Sequence, residues 1–505
     1  MLGLNPVISK AYFILLHLLQ MLTPRFSLSQ DDKYLHVTIY APFTHIDKTE
    51  VFMDEDEFRF YSKPYYLRLH LPGEVVENED AAASWDAESS SFIVKCPKKV
   101  EGEHFSGLDM LTELLTPKGE KELKQKIEVL QESNNCDDVD EEDEEYMEDI
   151  DFYFEQTLPS DEKEDLTGCK DGYGFAFEHH NVYKSLMAEY GEILDVKEPD
   201  NLSQIERNNI RKEKETSDFS SDHYLCDLYD SVEEIQSCLE QEAPFLSCVT
   251  GEVDLSSRLT VDTKSEVLAF SPEEQELMLG LPRRKVIVSP ASLASVHFGL
   301  ADILYGHCYS LRVLGPDCVE AGWTVAKLSA SLSCVGRLTS AKGVLVSSMR
   351  RALCYPLYRH YDLAKGVWED VITILHIGTP AVLKCLLSLI PTFNSSPGQY
   401  IFNQLYINDY AVWVQSVPSS HLESLANALH KTLSKLTKDD LDLELVELEQ
   451  AALMTIQEEE EAKVKALSDS MSRASILNRD TRDSDDDSDD DSDSDTDEDD
   501  SSSEE

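Results

Sequence analysis

The sequence has few basic residues for its length of 505, with 44 lysines and arginines against 98 aspartates and glutamates. The formal net charge is −54 at pH 7. Nucleic-acid binding depends on lysine and arginine displacing the counterions of phosphates, so this balance argues against direct contact with nucleic acid. It also disfavours the anionic inner leaflet of a membrane and favours a positively charged protein as the partner. Solubility alone is the alternative explanation of the acidic surface.

The sequence also lacks CxxC pairs and long apolar runs. Its 11 cysteines are scattered, and several lie in apolar stretches of helical spacing, such as Cys308, Cys354 and Cys385. An odd number of cysteines without a spaced framework predicts reduced, buried thiols in a cytosolic or nuclear protein. No segment approaches the roughly 18 to 20 uninterrupted apolar residues of a membrane helix, so we expect no membrane span.

The motifs of common catalytic sites are missing as well. The glycine–lysine spacing in residues 336–343 does not match a phosphate-binding loop. Neither a Gly-x-Ser-x-Gly elbow nor a His-Glu-x-x-His helix occurs. The pair His179 and His180 has no third ligand at zinc-finger spacing. Cys354 and His360 resemble a nucleophile and base, but the apolar neighbours of the cysteine favour a structural thiol. We expect no enzyme, metal or cofactor, and a hidden hydrolase is the least favoured hypothesis.

Residues 1–20 have two interpretations. The stretch from residue 11 to residue 22 resembles the apolar part of a signal peptide, but it contains His17 and Gln20 and lacks a small-residue cleavage site. The free cysteines argue against secretion. The preferred interpretation is an extension, with Met21 as the usual first residue. A targeting signal is the alternative.

Residues 21–110 are predicted to form a small antiparallel β-sandwich. Apolar residues alternate with polar ones at Leu35, Val37 and Ile39, and the pattern returns in residues 65–71 and 92–96. Such alternation places one face of each strand in a core. Clusters of turn-forming residues are predicted to separate the strands; they lie at 30–32, 54–56, 72–73 and 86–91.

Residues 170–465 are predicted to form one large α-helical domain. Apolar residues between 371 and 390 recur at intervals of three and four, as in a buried pair of amphipathic helices. Gly378 marks the turn between them, with Thr379 as the expected N-cap and Pro380 at the first helical position. Similar patterns predict further helices; they occupy 291–313, 320–332, 345–355 and 422–436.

Two acidic segments are predicted to be disordered. Residues 111–169 form a linker that contains the acidic run 137–149, and residues 466–505 form a tail that ends in aspartate, glutamate and serine. Dense like charge repels itself and buries no apolar surface. The expected architecture is therefore multidomain, with an all-β sandwich, an acidic linker, an all-α domain and an acidic tail.

Longer motifs resemble a known family. Residues 21–30, Met-Leu-Thr-Pro-Arg-Phe-Ser-Leu-Ser-Gln, and residues 58–72 resemble the CS domain that opens the SHQ-type assembly factors of H/ACA ribonucleoproteins. Other segments resemble signatures of the family's helical domain, in the same order; they are 222–227, 353–361, 381–387 and 405–413. The resemblance spans the chain from Met21 to about residue 460.

The resemblance implies a chaperone rather than an enzyme. Members of this family bind dyskerin, the pseudouridine synthase of H/ACA particles, before its RNA arrives, and they block its RNA-binding surface. It further implies a monomer of the nucleoplasm and cytosol that acts in snoRNP, telomerase-type and ribosome biogenesis, with AAA+ ATPases driving release. The charge balance favours the same kind of basic partner. The alternative is a CS-domain co-chaperone of the ninety-kilodalton heat-shock ATPase.

Candidate contacts in the CS domain come from the resemblance. The family's CS domain uses a surface near its first strand, and the matching positions are Phe26, Gln30 and, on the last strand, Lys98. For Phe26, a place in the sandwich core is an equally good interpretation, because its neighbours alternate in polarity.

The helical domain has two further groups of candidates. Tyr355, Tyr358 and Arg359 contact the partner or shape the domain, and Pro356 favours shape because it fixes the path of the chain. A group of carboxylates follows the last packed helix and is the best candidate for imitating phosphates, with a solvated helix face as the alternative. These residues are Asp439, Asp440, Asp442, Glu444, Glu447 and Glu449.

Overall fold

The computed structural model describes residues 21–44, 46–78, 80–115, 156, 158, 171–185, 193–245, 268–316 and 318–480. The extension at residues 1–20, most of the predicted linker and the tail beyond residue 480 lie outside the described residues. The chain divides into two units, of which the first ends at Leu443 and the second begins at Glu444. Within the described part of the chain, no helix combines the length and apolarity needed to cross a membrane.

The first domain is a sandwich of two antiparallel sheets. One sheet has four strands in the order β1-β2-β6-β5, and the other pairs β3 with β4. Their bounds are β1 Arg25–Gln30, β2 Tyr34–Tyr40, β3 Glu50–Ser62, β4 Tyr65–Val75, β5 Ala82–Asp86 and β6 Ser91–Pro97. Leu35, Val37 and Ile39 are fully buried against the core of the sandwich. The alternation thus identifies the inward face correctly, and the predicted β-sandwich is confirmed.

Two of the predicted turns are wrong. β3 continues through residues 54–56, where the β3–β4 register shifts between Glu55 and Glu57. Glu55 has a φ of 48°, so the acidic cluster forms a bulge that bends the strand. β4 likewise continues through Pro72 and Gly73. A Cβ at Gly73 would overlap the ring of Phe105, so this glycine serves close packing.

The rest of the first unit is largely helical in its described residues. One short helix, α1 (Leu111–Leu115), follows the sandwich. The others are α2 Val182–Ser185, α3 Gln204–Asp218, α4 Ser221–Tyr229, α5 Val232–Leu239, α6 Pro272–Gly280, α7 Pro290–Leu314, α8 Ala321–Leu328, α9 Ala330–Ser333, α10 Ala341–Ala352, α11 Tyr361–Ile377, α12 Thr379–Ser395, α13 Tyr400–Phe402, α14 Asn408–Val414 and α15 Ser419–Leu433. A π turn, Asn403–Ile407, joins α13 to α14, and a 3₁₀ turn, Lys438–Leu441, follows α15.

The predicted helix pair is present, but its cap differs. α11 ends and α12 begins at Gly378, whose φ of 100° favours glycine. Gly378 is therefore the N-cap of α12, Thr379 is the first helical residue and Pro380 the second, so the prediction of Thr379 as cap is wrong. The single helix predicted over 320–332 is two helices, because Ser329 ends α8 and its side chain caps α9.

Buried cysteines line the core of the helical part. The long helix α7 packs against α8, α10 and α11, and its Cys308 is fully buried. Cys354 and Cys385 are also buried and free. Burial raises the pKa of the Cys354 thiol to about 12, so this thiol stays protonated and structural at neutral pH. The prediction of buried, reduced thiols is confirmed for these three residues.

The sandwich and the helices contact each other directly. The hydroxyl of Tyr400 donates to the carbonyl oxygen of Lys63 (3.2 Å). The side-chain amide of Gln404 donates to the carbonyl oxygen of Thr44 (2.7 Å). Both donors lie at the junction of α13 and the π turn. The helical region therefore presents side chains that hold loops of the sandwich.

The second unit is described as one long helix, α16 (Leu445–Asp480). Residues 466–480, predicted as the start of the disordered tail, continue this helix. Alanine, leucine, lysine and glutamate dominate its middle, and all four favour helices.

Candidate partner-binding surfaces

The two polar candidates of the CS domain form one partly buried network. Lys98 is only 6% exposed, and its Nζ donates to Gln30 Oε1 (2.9 Å) and to the carbonyl oxygens of Asp31 and Glu103 (2.7 Å each). Gln30 in turn exchanges two hydrogen bonds with the backbone of Phe105, at 2.7 and 2.9 Å. The network ties the segment after β6 to the end of β1.

The third CS candidate, Phe26, lies in the sandwich core. It is 8% exposed and pairs in register with Ile39 on β2. Phe26, Gln30 and Lys98 thus all lie close to the first strand, as the resemblance implies, and all have structural partners within their own domain. Their contact with another protein stays a prediction.

We expect Lys98→Met to destabilise the protein by about 1–3 kcal/mol, because Gln30 Oε1 and two backbone carbonyl oxygens lose a charged donor that is itself buried. Chemical denaturation followed by near-ultraviolet circular dichroism measures this loss. Lys33→Met is the control, since the Lys33 ammonium pairs with Glu101 on the exposed surface, and the stability of this variant should be unchanged. Unchanged stability of the Lys98 variant would contradict the structural role of the network.

A buried ion-pair network lies beneath the 353–361 signature. Arg351 is 1% exposed and donates to Asp195 Oδ2 (2.5 Å) and to Glu215 Oε1 (3.4 Å). Lys327 pairs with the other oxygen of Asp195 (2.6 Å). Burial alone would raise the pKa of Asp195, but the charges of Arg351 and Lys327 hold it well below its ordinary value. Asp195 is therefore ionised, and the network joins α3, α8 and α10.

Arg350, the neighbour of Arg351, holds residues 438–442 after α15, which we call the acidic turn. Its Nε donates to Glu215 Oε2 (3.0 Å), and its Nη1 donates to the carbonyl oxygens of Leu441 and Asp442. The guanidinium is buried. The backbone that carries Asp439, Asp440 and Asp442 is thus fixed by a buried arginine on α10.

The aromatic candidates make contacts within the domain. The hydroxyl of Tyr355 donates to Asp218 Oδ2 (3.2 Å), and its ring lies 4.8 Å from the guanidinium carbon of Arg351. The carbonyl oxygen of Tyr358 accepts from the hydroxyl of Tyr309 (2.5 Å). These contacts favour the interpretation that the signature shapes the domain, while contact with a partner stays a prediction.

The carboxylates Asp439, Asp440 and Asp442 lie on or beside the 3₁₀ turn Lys438–Leu441. Asp439 and Asp442 are exposed. Asp440 Oδ1 pairs with Lys342 Nζ (2.6 Å), and its Oδ2 accepts from the backbone N–H of Thr437 (2.9 Å). The bond from Lys342, followed by those from Thr437, lowers the pKa of Asp440 to about 2. Asp440 therefore stays ionised at neutral pH.

A groove of about 610 Å³ adjoins this turn. Val346 and Leu441 supply apolar lining, and Glu213, Asp440 and Asp442 supply carboxylates. The remaining lining residues are Lys212, Thr216, Ser217 and Arg350. Apolar lining with carboxylates beside it fits the aliphatic stem and charged end of a lysine or arginine.

The other three acidic candidates belong to the second unit. Glu444 precedes α16, and Glu447 and Glu449 lie near the helix start. A carboxylate in the first turn favours the helix because it faces the positive end of the helix dipole. All six acidic candidates therefore lie near a helix end: three follow α15, and three lie at the start of α16.

Comparisons with known proteins match both domains. The family model described as SHQ1-like, CS domain, matches residues 23–115, and the one described as SHQ1 protein, Shq1 domain, matches residues 260–445. The SHQ1 homolog of Mus musculus is 37% identical over 469 residues, which cover 92% of this chain and 81% of that protein. The chain belongs to the SHQ1 family.

Two further SHQ1 relatives cover most of the chain. The Xenopus tropicalis homolog is 36% identical over 441 residues, covering 87% of this chain and 71% of that protein. Schizosaccharomyces pombe shq1 is 28% identical over 453 residues, which cover 86% of this chain and 97% of that protein. The resemblance seen in the sequence is confirmed, and no catalytic family is indicated. The co-chaperone alternative is not favoured by these matches.

Two SHQ1 signatures meet in the fold. The backbone N–H of Arg359, in the 353–361 segment, donates to Asp227 Oδ2 (2.6 Å), in the 222–227 segment. His223 Nε2 lies 3.6 Å from the same oxygen. The two segments are therefore one structural feature, and Arg359 contributes its backbone to it.

Sequence reasoning missed the charged residues that organise this SHQ1 domain. They are Asp195, Glu215, Arg350 and Arg351. A signal was present for two of them, because Arg350 and Arg351 follow the apolar run of α10. Adjacent arginines within a buried helix require nearby carboxylates. Nothing in the spacing of the sequence identifies which carboxylates these are.

Among the residues that the structure describes, no group of three histidines, cysteines or carboxylates could hold a metal ion. Within those residues, His179 and His180 belong to no such group. His179 contacts the ring of Phe43 at 6.0 Å, and burial lowers the pKa of His179. Both histidines lie in the segment that leads to α2.

Proposed function

We propose that this protein is an assembly chaperone of box H/ACA ribonucleoproteins that binds the pseudouridine synthase dyskerin before RNA is loaded. The observation that carries the proposal is SHQ1 membership over both domains in a chain of net charge −54. A pseudouridine synthase needs basic surface for its RNA, and an acidic protein can occupy that surface by electrostatic complementarity. The chaperone acts as a monomer in the nucleoplasm and cytosol, and AAA+ ATPases drive its release.

The acidic turn after α15 is the surface that best supports this function. Asp439, Asp440 and Asp442 are ionisable groups on a backbone that Arg350 fixes through two carbonyl oxygens. Carboxylates held in advance lose less conformational freedom on binding than those on a mobile chain. The groove beside them supports this proposal, because Glu213, Asp440 and Asp442 in its lining can pair with a basic side chain of the partner. The turn would occupy the position that phosphates of the guide RNA take later.

Competition experiments test the proposed function. Full-length protein is expected to bind purified dyskerin, and the affinity should fall at least about tenfold between about 0.05 M and about 0.2 M salt, because opposite charges are screened. An H/ACA guide RNA should displace the protein. Fluorescence anisotropy of labelled protein measures both effects.

Dyskerin preloaded with guide RNA is the control and should bind weakly. Affinity that does not change with salt would contradict the proposal. A stable ternary complex with RNA on the same dyskerin, or tight binding of RNA by the chaperone alone, would also overturn it.

A further inference from the structure

The second unit carries an apolar stripe that its helix does not bury. Five large apolar side chains of α16 are between 37% and 74% exposed. They are Leu453, Ile456, Val464, Leu467 and Met471. A sixth exposed apolar residue, Met454, follows Leu453 in the sequence but points about 100° around the helix from it, outside the stripe. Soluble proteins rarely expose a contiguous apolar surface of this kind unless it serves an interaction.

The spacing places these five residues on one face. An α-helix turns by about 100° per residue, so steps of three, eight, three and four residues confine them to an arc of about 80°. The arc is interrupted once, by Glu460. The opposite face carries the charged residues Glu458, Lys465 and Asp469, with Thr455, Ala462 and Ala466 beside them. The described helix is therefore amphipathic, with its apolar face in water.

The acidic charge of α16 selects the occupant of the stripe, since four consecutive glutamates point to all sides of the helix and one of them, Glu460, lies within the stripe. Glu458, Glu459, Glu460 and Glu461 follow one another in the middle of α16, and the exposed pair Lys463–Glu459 (3.9 Å) neutralises little of this charge. A second copy of the helix would place like charges together, which opposes self-association. An anionic membrane surface would repel the same glutamates. A basic protein with an apolar groove can cover the stripe and pair its lysines and arginines with the carboxylates.

We infer that α16 is a docking helix, which lays the face formed by Leu453, Ile456, Val464, Leu467 and Met471 into an apolar groove bordered by lysines and arginines on a protein partner. Helix-in-groove recognition uses anchors at this spacing. The identity of the partner rests on the proposed function, so dyskerin is the partner to test. The contacts of the acidic turn are electrostatic and are screened by salt. The docking helix adds apolar contacts, which salt does not screen.

A set of matched full-length variants tests the docking helix. The stripe variant combines Val464→Gln, Leu467→Gln and Met471→Gln, and the control variant combines Thr455→Gln, Ala462→Gln and Ala466→Gln on the opposite face. Glutamine favours helices, so both variants should keep the helical circular dichroism of the parent. We expect the stripe variant to bind dyskerin at least about tenfold more weakly, because anchor side chains dominate binding energy. The control should bind within about twofold of the parent.

Each outcome has a distinct meaning. Hydrogen exchange at the amides of residues 453–471 should slow when dyskerin is added, in the parent and the control. Equal affinities of parent and stripe variant would overturn the docking helix while leaving the proposed function intact. Failure of the parent itself to bind dyskerin would overturn both. Sedimentation showing a parent dimer that the stripe variant abolishes would assign the face to a second copy, against the inference.

Discussion

Replacing Arg351 by methionine is expected to destabilise the first unit by about 3–5 kcal/mol, because it leaves Asp195 and Glu215 as buried charges without their shared partner. Methionine keeps most of the volume, so the loss reports the charge rather than a cavity. Urea denaturation of the full-length protein, followed by intrinsic fluorescence of Trp368 and the other tryptophans, measures the change. A loss of this size is a large part of the stability of an ordinary domain.

Arg283→Met is the matched control, since Arg283 is exposed on the segment between α6 and α7. Its stability should equal that of the parent. An Arg351 variant as stable as the Arg283 variant would show that the other partners suffice to neutralise the site. These partners are Lys327 and Lys214 for Asp195, and Arg350 and Arg211 for Glu215. The buried network would then not be what joins α3, α8 and α10.

The elements of the fold could be predicted where a local pattern decides them. Leu35, Val37 and Ile39 alternate with polar residues and are all fully buried. The two helices around Gly378 follow from apolar spacing and from a glycine that both helices use as a cap. The turn predicted at residues 54–56 is wrong because acidic residues occur in bulges as well as in turns. Only pairing with the neighbouring strand distinguishes a bulge from a turn.

The candidate site could be predicted only in part. Gln30 and Lys98 were identified through the resemblance, and the structure brings them together across 68 positions of the chain. The acidic turn was identified by composition. Its fixation by Arg350 was not predictable, because that contact spans 91 positions and depends on how α10 packs. Tertiary contacts of this kind leave no periodic trace in the sequence.

The structure also changes the meaning of the acidic positions. Free carboxylates on a solvated face would imitate phosphates only on average, because their side chains move independently. Asp440 is held by Lys342 and Thr437, and Asp442 belongs to a backbone that Arg350 holds. Order of this kind favours binding because less side-chain freedom is lost. Exposed Asp439 and Asp442 are then the charges most available to a partner.

Neutralising the six acidic candidates is expected to weaken dyskerin binding by about 100-fold at low salt and to flatten its dependence on salt, because fewer charges of the complex are screened. The variant replaces each aspartate by asparagine and each glutamate by glutamine; the positions are Asp439, Asp440, Asp442, Glu444, Glu447 and Glu449. Amides keep the size of the side chains, and the amide that replaces the Asp440 carboxylate retains an oxygen for the Thr437 cap. Anisotropy titrations at several salt concentrations measure both the affinity and the slope.

The control removes the same number of negative charges from elsewhere on the surface. Exposed carboxylates of the sandwich and of α1 supply them; the positions are Asp32, Asp54, Glu77, Asp80, Glu88 and Glu113. This variant has the same net charge as the first, so long-range attraction falls equally in both. A tenfold or greater difference between the two affinities would assign the remaining loss to local contacts at the acidic turn and the start of α16. Equal affinities would contradict the RNA-mimicking role of these positions and would leave the overall charge of the protein as the sole electrostatic attraction for its partner.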